Sequence, residues 1–481
     1  MNQMKRLILC TVALAFGDFV SAAAPNILFI VSEDNGPEMG CYGTPIRTPH
    51  LDRLAREGTL FRNAYVPQAG CSQSRAAFLT GLYPHQNGQI GLATWEYSMY
   101  SGKIPNVVKT LKQAGYRTGM IGKLHIKPKD AFPFDFKAIP SSNFARKEMA
   151  AYLKHAGAFM RAGGQPFYLQ VNFPDAHRPF IKQVDQIPAR PLTGKEVQAL
   201  PYMGINHPEL RQQTADYYNC MMRLDTYIGQ LLAVLEQSGR ARDTVVVYIG
   251  DHGADMLRGK RTSYEGGLKV PMIIRWPNSR PDQRREELVS TLDLYPTFCD
   301  IAGARIPDTL AGRSLKPLVH GQRLAWRQYL FTEFHVHSNH NPWPQRTVRD
   351  ARFKLIYNPV AGEENPGYAF TMGKKFFAAP EAELLAVATD QVRTAYALMK
   401  KPPLYELYDL KADPFEFNNL ADTPAHAATQ ARLVAALKQW QVDTGDPLQS
   451  RAMARRLFHL IQDAGTAQRR PLDYKSFMKL K

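Results

Sequence analysis

A chain of 481 residues, 44% of them hydrophobic and 21% charged, has enough apolar surface for one large core and a smaller one, which excludes a disordered tail or a short disulfide-stapled scaffold. Lysine and arginine number 60 against 43 aspartate and glutamate, and the formal net charge of +17 raises the local concentration of anionic ligands through its long-range field. No nucleic-acid motif accompanies that charge, and no later stretch is apolar enough to span a bilayer; an anionic partner is expected, net charge alone not separating acidic lipid from sulfated glycan or either from plain solvated surface charge.

The chain opens with Lys5 and Arg6, an apolar run from Leu7 to Phe16, and then Ser21, Ala22, Ala23 and Ala24. A charged start, a short apolar core and a small-residue exit are the parts of a cleavable export signal, so residues 1–24 are expected to be removed and the product to be periplasmic or secreted. Cys10 leaves with them. Cys41, Cys71, Cys220 and Cys299 show neither CxxC spacing nor disulfide density, which leaves at least one free for other chemistry.

Short apolar runs at Ile27 to Val31, Thr118 to Ile121, Phe167 to Phe173 and Thr244 to Ile249 read as buried strands. Helical patterns lie between them, such as Val107, Val108, Leu111 and Ala114 with Gly115 at the cap. This alternation predicts an α/β sheet covered on both faces. Each of the four runs leads into ionisable residues: Glu33 and Asp34, Lys123 and His125, Asp175 and His177, Asp251 and His252. Open α/β sheets bind ligands beyond the carboxyl ends of their strands, so one shared site is expected.

After about residue 320 the pattern changes to aromatic-rich runs, Arg352 to Tyr357 and Leu404 to Leu410, followed by a helix carrying Leu433, Leu437 and Trp440. A second α+β subdomain over 331–481, after a catalytic domain over 25–330, accounts for the change. Between them Glu333 to Trp343 holds His335, His337 and His340 beside Pro342 and Pro344, and it reads as an exposed loop, with a substrate-facing role and then a metal tract as the alternatives.

The segment Cys71-Ser72-Gln73-Ser74-Arg75 precedes the helix-like run Ala76 to Leu82. A cysteine at a helix start beside a guanidinium sits where negative charge is stabilised. Cys-x-x-Ser-Arg, followed by Ala-x-x-Leu-Thr-Gly-x-x-Pro-His over Ala76 to His85, resembles the signature of the type I sulfatases. The resemblance extends to Pro25 to Asp34, Thr48 to Asp52, Phe61 to Ala64, Gly122 to His125, Gly259 to Gly267 and Leu407 to Leu410 with Asp413, Pro414 and Glu416. Within that family, His85 to Gly88, Pro133 to Phe136, His177-Arg178, Gln439 to Gln441 and Asp446-Pro447 resemble the heparan N-sulfatases.

The resemblance implies an alkaline-phosphatase-like mixed sheet sandwiched by helices, with a smaller C-terminal α+β subdomain. It also implies a sulfatase that releases sulfate from a sulfated saccharide, N-sulfoglucosamine of heparin or heparan sulfate being the first expectation. Cys71 would be converted by a formylglycine-generating maturation enzyme to 3-oxoalanine (formylglycine), and one divalent cation, usually Ca²⁺, would lie on Glu33, Asp34, Asp251 and His252 together with residue 71. Hard carboxylate ligands suit Ca²⁺ or Mg²⁺, whereas the imidazole leaves room for Mn²⁺ or Zn²⁺. The hydrated aldehyde would attack sulfur while Arg75, Lys123 and Lys260 stabilise the charge on the sulfuryl oxygens. His177 is the candidate acid for the departing amine or alcohol, and His125 the base that lets sulfate go. Arg178, His335 and His337 are candidates to read the sugar.

Three residues depart from the usual motif: Glu33 where many sulfatases have aspartate, His252 where many have asparagine, and Gln73 where proline or alanine is usual. His252 keeps open a phosphonate or phosphodiester hydrolase, and an O-sulfatase on another glycan is the nearer alternative. Gln73 would affect how readily Cys71 is matured, and an unconverted thiol would leave a glycan-binding protein without catalysis. No feature of the sequence fixes the oligomeric state.

Overall fold

A computed structural model describes residues 24–373, 376–465 and 477. The expected export signal lies outside the described residues but for Ala24. Among the described residues no helix is long and apolar enough to cross a membrane.

Nine strands form the main sheet: β1 (Asn26–Ser32), β2 (Thr59–Tyr65), β3 (Arg117–Ile121), β4 (Phe136–Ala138), β5 (Phe167–Phe173), β6 (Thr244–Gly250), β7 (Lys269–Arg275), β8 (Gln283–Arg285) and β9 (Val289–Ser290). Their order is β4-β3-β5-β1-β6-β7-β2-β8, with β9 also on β2. From β4 to β6 every pairing is parallel, and β7 runs antiparallel to both β6 and β2. The four strands expected from the sequence, β1, β3, β5 and β6, are therefore neighbours with their carboxyl ends at one edge.

These strands are apolar along their whole length because both faces are covered. In β1, Ile27, Phe29 and Val31 enter one core while Leu28 and Ile30 enter the other. In β6, Val245, Val247 and Ile249 alternate in the same way with Val246 and Tyr248. On one face pack α1 (Pro49–Glu57), Met149–Arg161 and the long helix Pro208–Gln237; on the other pack α2 (Cys71–Thr80), Val107–Gln113 and Leu294–Ala302.

A second, antiparallel sheet joins β10 (Leu330–Val336), β11 (Pro342–Arg349), β12 (Phe353–Tyr357) and β13 (Tyr405–Asp409) in sequence order. Leu433, Leu437 and Trp440 of the helix Ala427–Asp443 close over Val348, Leu355 and Leu407. The fold is thus a mixed α/β sheet between helical layers with a small antiparallel sheet after it.

One expectation fails here. Glu333 to Trp343 is not an exposed loop: its ends belong to β10 and β11, and only a short buried turn joins them. The misleading prolines, Pro342 and Pro344, lie where the β10–β11 ladder shifts register between Phe334 and Val336. A bulged strand end has backbone positions that need no ladder donor, so it tolerates proline.

Candidate active site

The carboxyl ends of β1, β3, β5 and β6 meet the start of α2 at a point buried under the sheet edge. β1 runs into Glu33 and Asp34, with Asp34 at φ 49°, and β6 runs through Gly250 into Asp251 and His252. Cys71, 2% exposed, is the first residue of α2, so the backbone donors of that helix end face the same point. After β3 the chain turns at Gly122, whose φ of 89° brings its Cα so close to β5 that a Cβ would lie 2.4 Å from the Asn172 carbonyl oxygen. That turn delivers Lys123 and His125.

Arg75 ties four strand ends together. Its Nε donates to Asp251 Oδ2 at 3.1 Å and Nη2 to Glu33 Oε1 at 2.9 Å, while Nη1 donates to the Lys123 carbonyl at 3.1 Å and to Asn172 Oδ1 at 2.8 Å. Lys123 Nζ takes the other Glu33 oxygen at 2.7 Å, and Lys260 Nζ takes Asp34 Oδ2 at 2.7 Å. Nearly every outward-facing carboxylate oxygen is thereby matched with a cation, the arrangement buried charge requires.

The inward oxygens face His252 and residue 71 instead, and Asp251 Oδ1 also accepts the Asp34 backbone N–H at 2.8 Å. Asp34 Oδ1 lies 3.2 Å from His252 Nε2 and 3.7 Å from Cys71 Sγ, and His252 Nε2 lies 3.3 Å from that sulfur and 3.6 Å from Asp251 Oδ1. Ligand atoms of Asp34, Cys71, Asp251 and His252 all fall within 4.8 Å of one another, as do those of Glu33, Asp34, Cys71 and His177. Glu33 is the less available member, because each of its oxygens already accepts from a Lys or Arg side chain, whereas Asp251 Oδ1 accepts only the Asp34 backbone N–H.

The electrostatics agree with a place for positive charge. Burial opposes a charged His252, yet Asp251 and Asp34 raise it to about 9. Burial would raise Asp34, but His177, Lys260 and His252 hold it well below the ordinary carboxylate range. Burial, with Lys123 and Arg75 adding to it, drives His125 well below the usual imidazole value, and both its ring nitrogens are buried without a partner. Burial lowers His177 to about 4 against the pull of Asp34, whose Oδ2 is 3.7 Å from Nε2. His125 and His177 are thus held toward the neutral form beside the paired carboxylates of Asp34 and Asp251.

A cavity of about 640 Å³ reaches this point from the surface, with His177, Lys260, Arg178, Asp255, Arg261 and His337 on its wall. Two of the sequence candidates, Arg178 and His337, thus lie on the cavity wall. Arg178 donates through Nε to the Asp255 carbonyl at 2.9 Å and through Nη2 to Gln213 Oε1 at 2.6 Å. His337 keeps a buried Nε2 without a hydrogen-bond partner, and its carbonyl accepts from Leu92 N at 2.9 Å.

His335 does not belong to that wall, which corrects the expectation that it reads substrate. It is fully buried with Nε2 3.2 Å from Glu333 Oε1, and the same glutamate accepts from the backbone and ring of His85 at 2.8 and 2.6 Å. A carboxylate inside the protein needs these donors, so the motif residue His85 and His335 both serve to seat β10. Gln73 acts on the same strand. Its Nε2 donates to the Val336 carbonyl at 2.7 Å and to the Ile90 carbonyl at 3.3 Å, holding the chain just before His337.

The chain matches the family model described as Sulfatase over residues 25–304, and the model described as N-sulphoglucosamine sulphohydrolase, C-terminal, over 250–365. The human N-sulphoglucosamine sulphohydrolase is 32% identical to it, over 91% of this chain and 94% of that protein. The chain belongs to the sulfatase family. An ulvan-active sulfatase of Formosa agariphila is 29% identical over 88% of the chain and 81% of its own length. The solved structure of a 2-O GAG sulfatase superimposes with a TM-score of 0.70 at 23% identity, covering 88% of this chain and 93% of that one. As a sulfatase the protein is a hydrolase, and the mixed sheet with its helical layers is the fold it shares with these relatives.

Sequence reasoning missed two residues of the sulfatase pocket wall, Asp255 and Arg261, and one that backs His177, Phe144. Asp255 binds both Nη atoms of Arg261, one of them at 3.1 Å, and the pair faces the cavity. Phe144 stacks on the His177 ring at 3.8 Å between centroids while the Lys123 ammonium lies 5.2 Å from its own centroid. Asp255 follows the Asp251-His252 pair by three residues and is within reach of a motif reading, whereas Phe144 comes from irregular chain with no periodic signal.

Proposed function

We propose that this sulfatase is exported and removes the N-sulfate from glucosamine at the end of heparin- or heparan-type saccharides, after conversion of Cys71 to formylglycine. The observation that carries the chemistry is the convergence of Asp34, Asp251, His252 and residue 71 within 4.8 Å, ringed by Arg75, Lys123 and Lys260. The choice of substrate rests on the relation to the human N-sulphoglucosamine sulphohydrolase and on the match of residues 250–365.

The donor set fits a hard divalent cation such as Ca²⁺, with Mg²⁺ or Mn²⁺ as alternatives, because two carboxylates each turn one oxygen toward the imidazole and the sulfur. Asp34, Asp251 and His252 would hold it, with Glu33 contributing if it gives up one cationic partner. When bound, the ion supplies Lewis acidity to a sulfuryl oxygen and favours the ionised hydrate of the aldehyde. In this structure Cys71 Sγ stands in for an oxygen of that hydrate.

The protein's own groups do the rest. Lys260 and Lys123 present ammonium groups to the sulfuryl oxygens, and Arg75 fixes the carboxylates so that charge developing in the transition state meets preorganised donors. His177 borders the cavity and shuttles a proton to the departing nitrogen; anionic substrate raises it from about 4 into a useful range. His125, neutral and without partners, accepts the proton whose loss frees sulfate. Arg178, Asp255, Arg261 and His337 bind the sugar. Residues 25–330 form the catalytic domain and 331–481 a subdomain that gives His337, Phe370 and Phe376 to the cavity wall.

The test is release of inorganic sulfate by matured enzyme from N-sulfoglucosamine, O-sulfated galactan fragments and aryl phosphonate monoesters at equal concentration. Preference for the sulfamate by tenfold or more in kcat/KM is expected. Preference for the O-sulfate would replace the substrate, and preference for the phosphonate would replace the reaction.

A further inference from the structure

A second cavity, of about 400 Å³, meets the same reaction centre at Lys123 and His125. It shares no wall residue with the saccharide cavity. The short segment from Leu92 to Glu96 separates them, giving Leu92 and Trp95 to the larger and Ala93, Thr94 and Glu96 to the smaller. Phe144 touches a residue of each cavity, stacking on His177 of the larger and lying 5.2 Å from the ammonium of Lys123 of the smaller. The centre therefore has two openings of different character.

The larger opening carries the aromatic rings of Trp95, Phe370 and Phe376, surfaces on which a sugar ring can lie. Besides Lys123 and His125, the smaller one has Lys127, Lys129 and Lys137. Its single carboxylate, Glu96, is already taken by Lys127 at 2.5 Å, as Lys123 is by Glu33. Lys129 and Lys137 are exposed and form no ion pair among the described residues. Half-buried His125 lies on the inner wall, and its two ring nitrogens have no hydrogen-bond partner among the described residues. Two uncommitted ammonium groups at the mouth and an unpartnered imidazole at the base make a passage matched to a small oxyanion, with no aromatic platform for a sugar.

We propose that this lysine-lined cavity is a sulfate site, through which the freed anion leaves His125 and Lys123 while the desulfated saccharide leaves by the larger opening. The inference rests on the sulfatase reading above. Sulfate could also enter this cavity as a second substituent of the same saccharide, and the experiment separates the two sources. Lys129 and Lys137 compete with solvent for the departing dianion, so the site governs product inhibition.

The experiment uses the full matured enzyme, its double variant Lys129→Ala with Lys137→Ala, and the charge-keeping pair Lys129→Arg with Lys137→Arg. Crystals soaked in selenate, located by its anomalous signal, are expected to show an anion between residues 129 and 137 in the wild type and the arginine pair, but not in the alanine pair. Inhibition by added inorganic sulfate is expected to weaken at least fivefold in the alanine pair and to return in the arginine pair. Selenate confined to the pocket of Asp34 and Asp251, or sulfate inhibition equal in all three proteins, overturns the proposal. A KM rise confined to disulfated saccharides, with sulfate inhibition unchanged, assigns the cavity to the substrate and overturns the exit role. Should no substrate yield sulfate, the sulfatase reading fails, while selenate placement still decides whether the cavity binds the anion.

Discussion

Replacing Arg75 by lysine keeps the positive charge and removes the fork, and the structure sets the size of the loss. The guanidinium makes four hydrogen bonds at 2.8–3.1 Å, two to carboxylates and two to neutral oxygens, from a side chain that is 1% exposed. An ammonium at that depth can serve one carboxylate. The variant therefore forfeits one bond to a buried charge, worth about 1.5–3 kcal/mol, and two neutral ones at about 1 kcal/mol each. A destabilisation of roughly 3.5–5 kcal/mol follows, within the cost of leaving one member of a buried ion pair alone. Because Glu33 and Asp251 lose their fixed orientation, affinity for the divalent cation should fall with stability. Urea denaturation followed by tryptophan fluorescence, with and without saturating Ca²⁺, measures both. A midpoint shift equivalent to less than about 1 kcal/mol, with unchanged cation affinity, would refute the claim that Arg75 organises the four strand ends.

The protonation of His252 makes a second prediction about the ion. Its pKa of about 9 lies above the ordinary 6.5, so the ion-free protein keeps the associated stability below about pH 6.5 and loses it as pH climbs through 9. A ligating imidazole must first give up that proton, so the apparent cation affinity of ion-free protein should rise about tenfold per pH unit up to about 9 and then level off. Calorimetric titrations at pH 7, 8 and 9 measure this, and a constant affinity would remove His252 from the ligand set. Gly253→Ala tests the loop that carries Lys260: the added Cβ would lie 1.8 Å from the Gly266 carbonyl oxygen, and backbone cannot yield there. A cost of roughly 1–3 kcal/mol by denaturation and a loss of sulfate release on the order of a hundredfold are expected, whereas full activity would show that the loop position does not matter.

The strands that build the centre are legible because each is an apolar run cut short by ionisable residues. β1, β3, β5 and β6 fall within a residue or so of the expected runs, and their common edge follows from the rule for parallel sheets. The histidine-rich stretch misleads for a related reason. Its prolines signal a loop locally, and only the bulged register with β10 makes them acceptable inside a sheet. Sequence patterning likewise does not tell His335, whose ring is spent on Glu333, from His337, whose ring faces the pocket.

The remaining blind spot has a single physical origin. Periodicity records burial achieved by apolar packing, since only that burial repeats with the helix or the strand. Much of the pocket is instead buried by pairing charges across distant segments: Asp255 with Arg261, Asp175 with Arg146 and Arg223, and Arg75 with Glu33 and Asp251. Arg146 and Arg261 even sit at positive φ, at 52° and 71°, in backbone that belongs to no regular element. Such pairs leave no period behind. It follows that substrate preference in this chain should change through substitutions in irregular segments around residues 144, 255 and 261, while substitutions in the strands alter stability first.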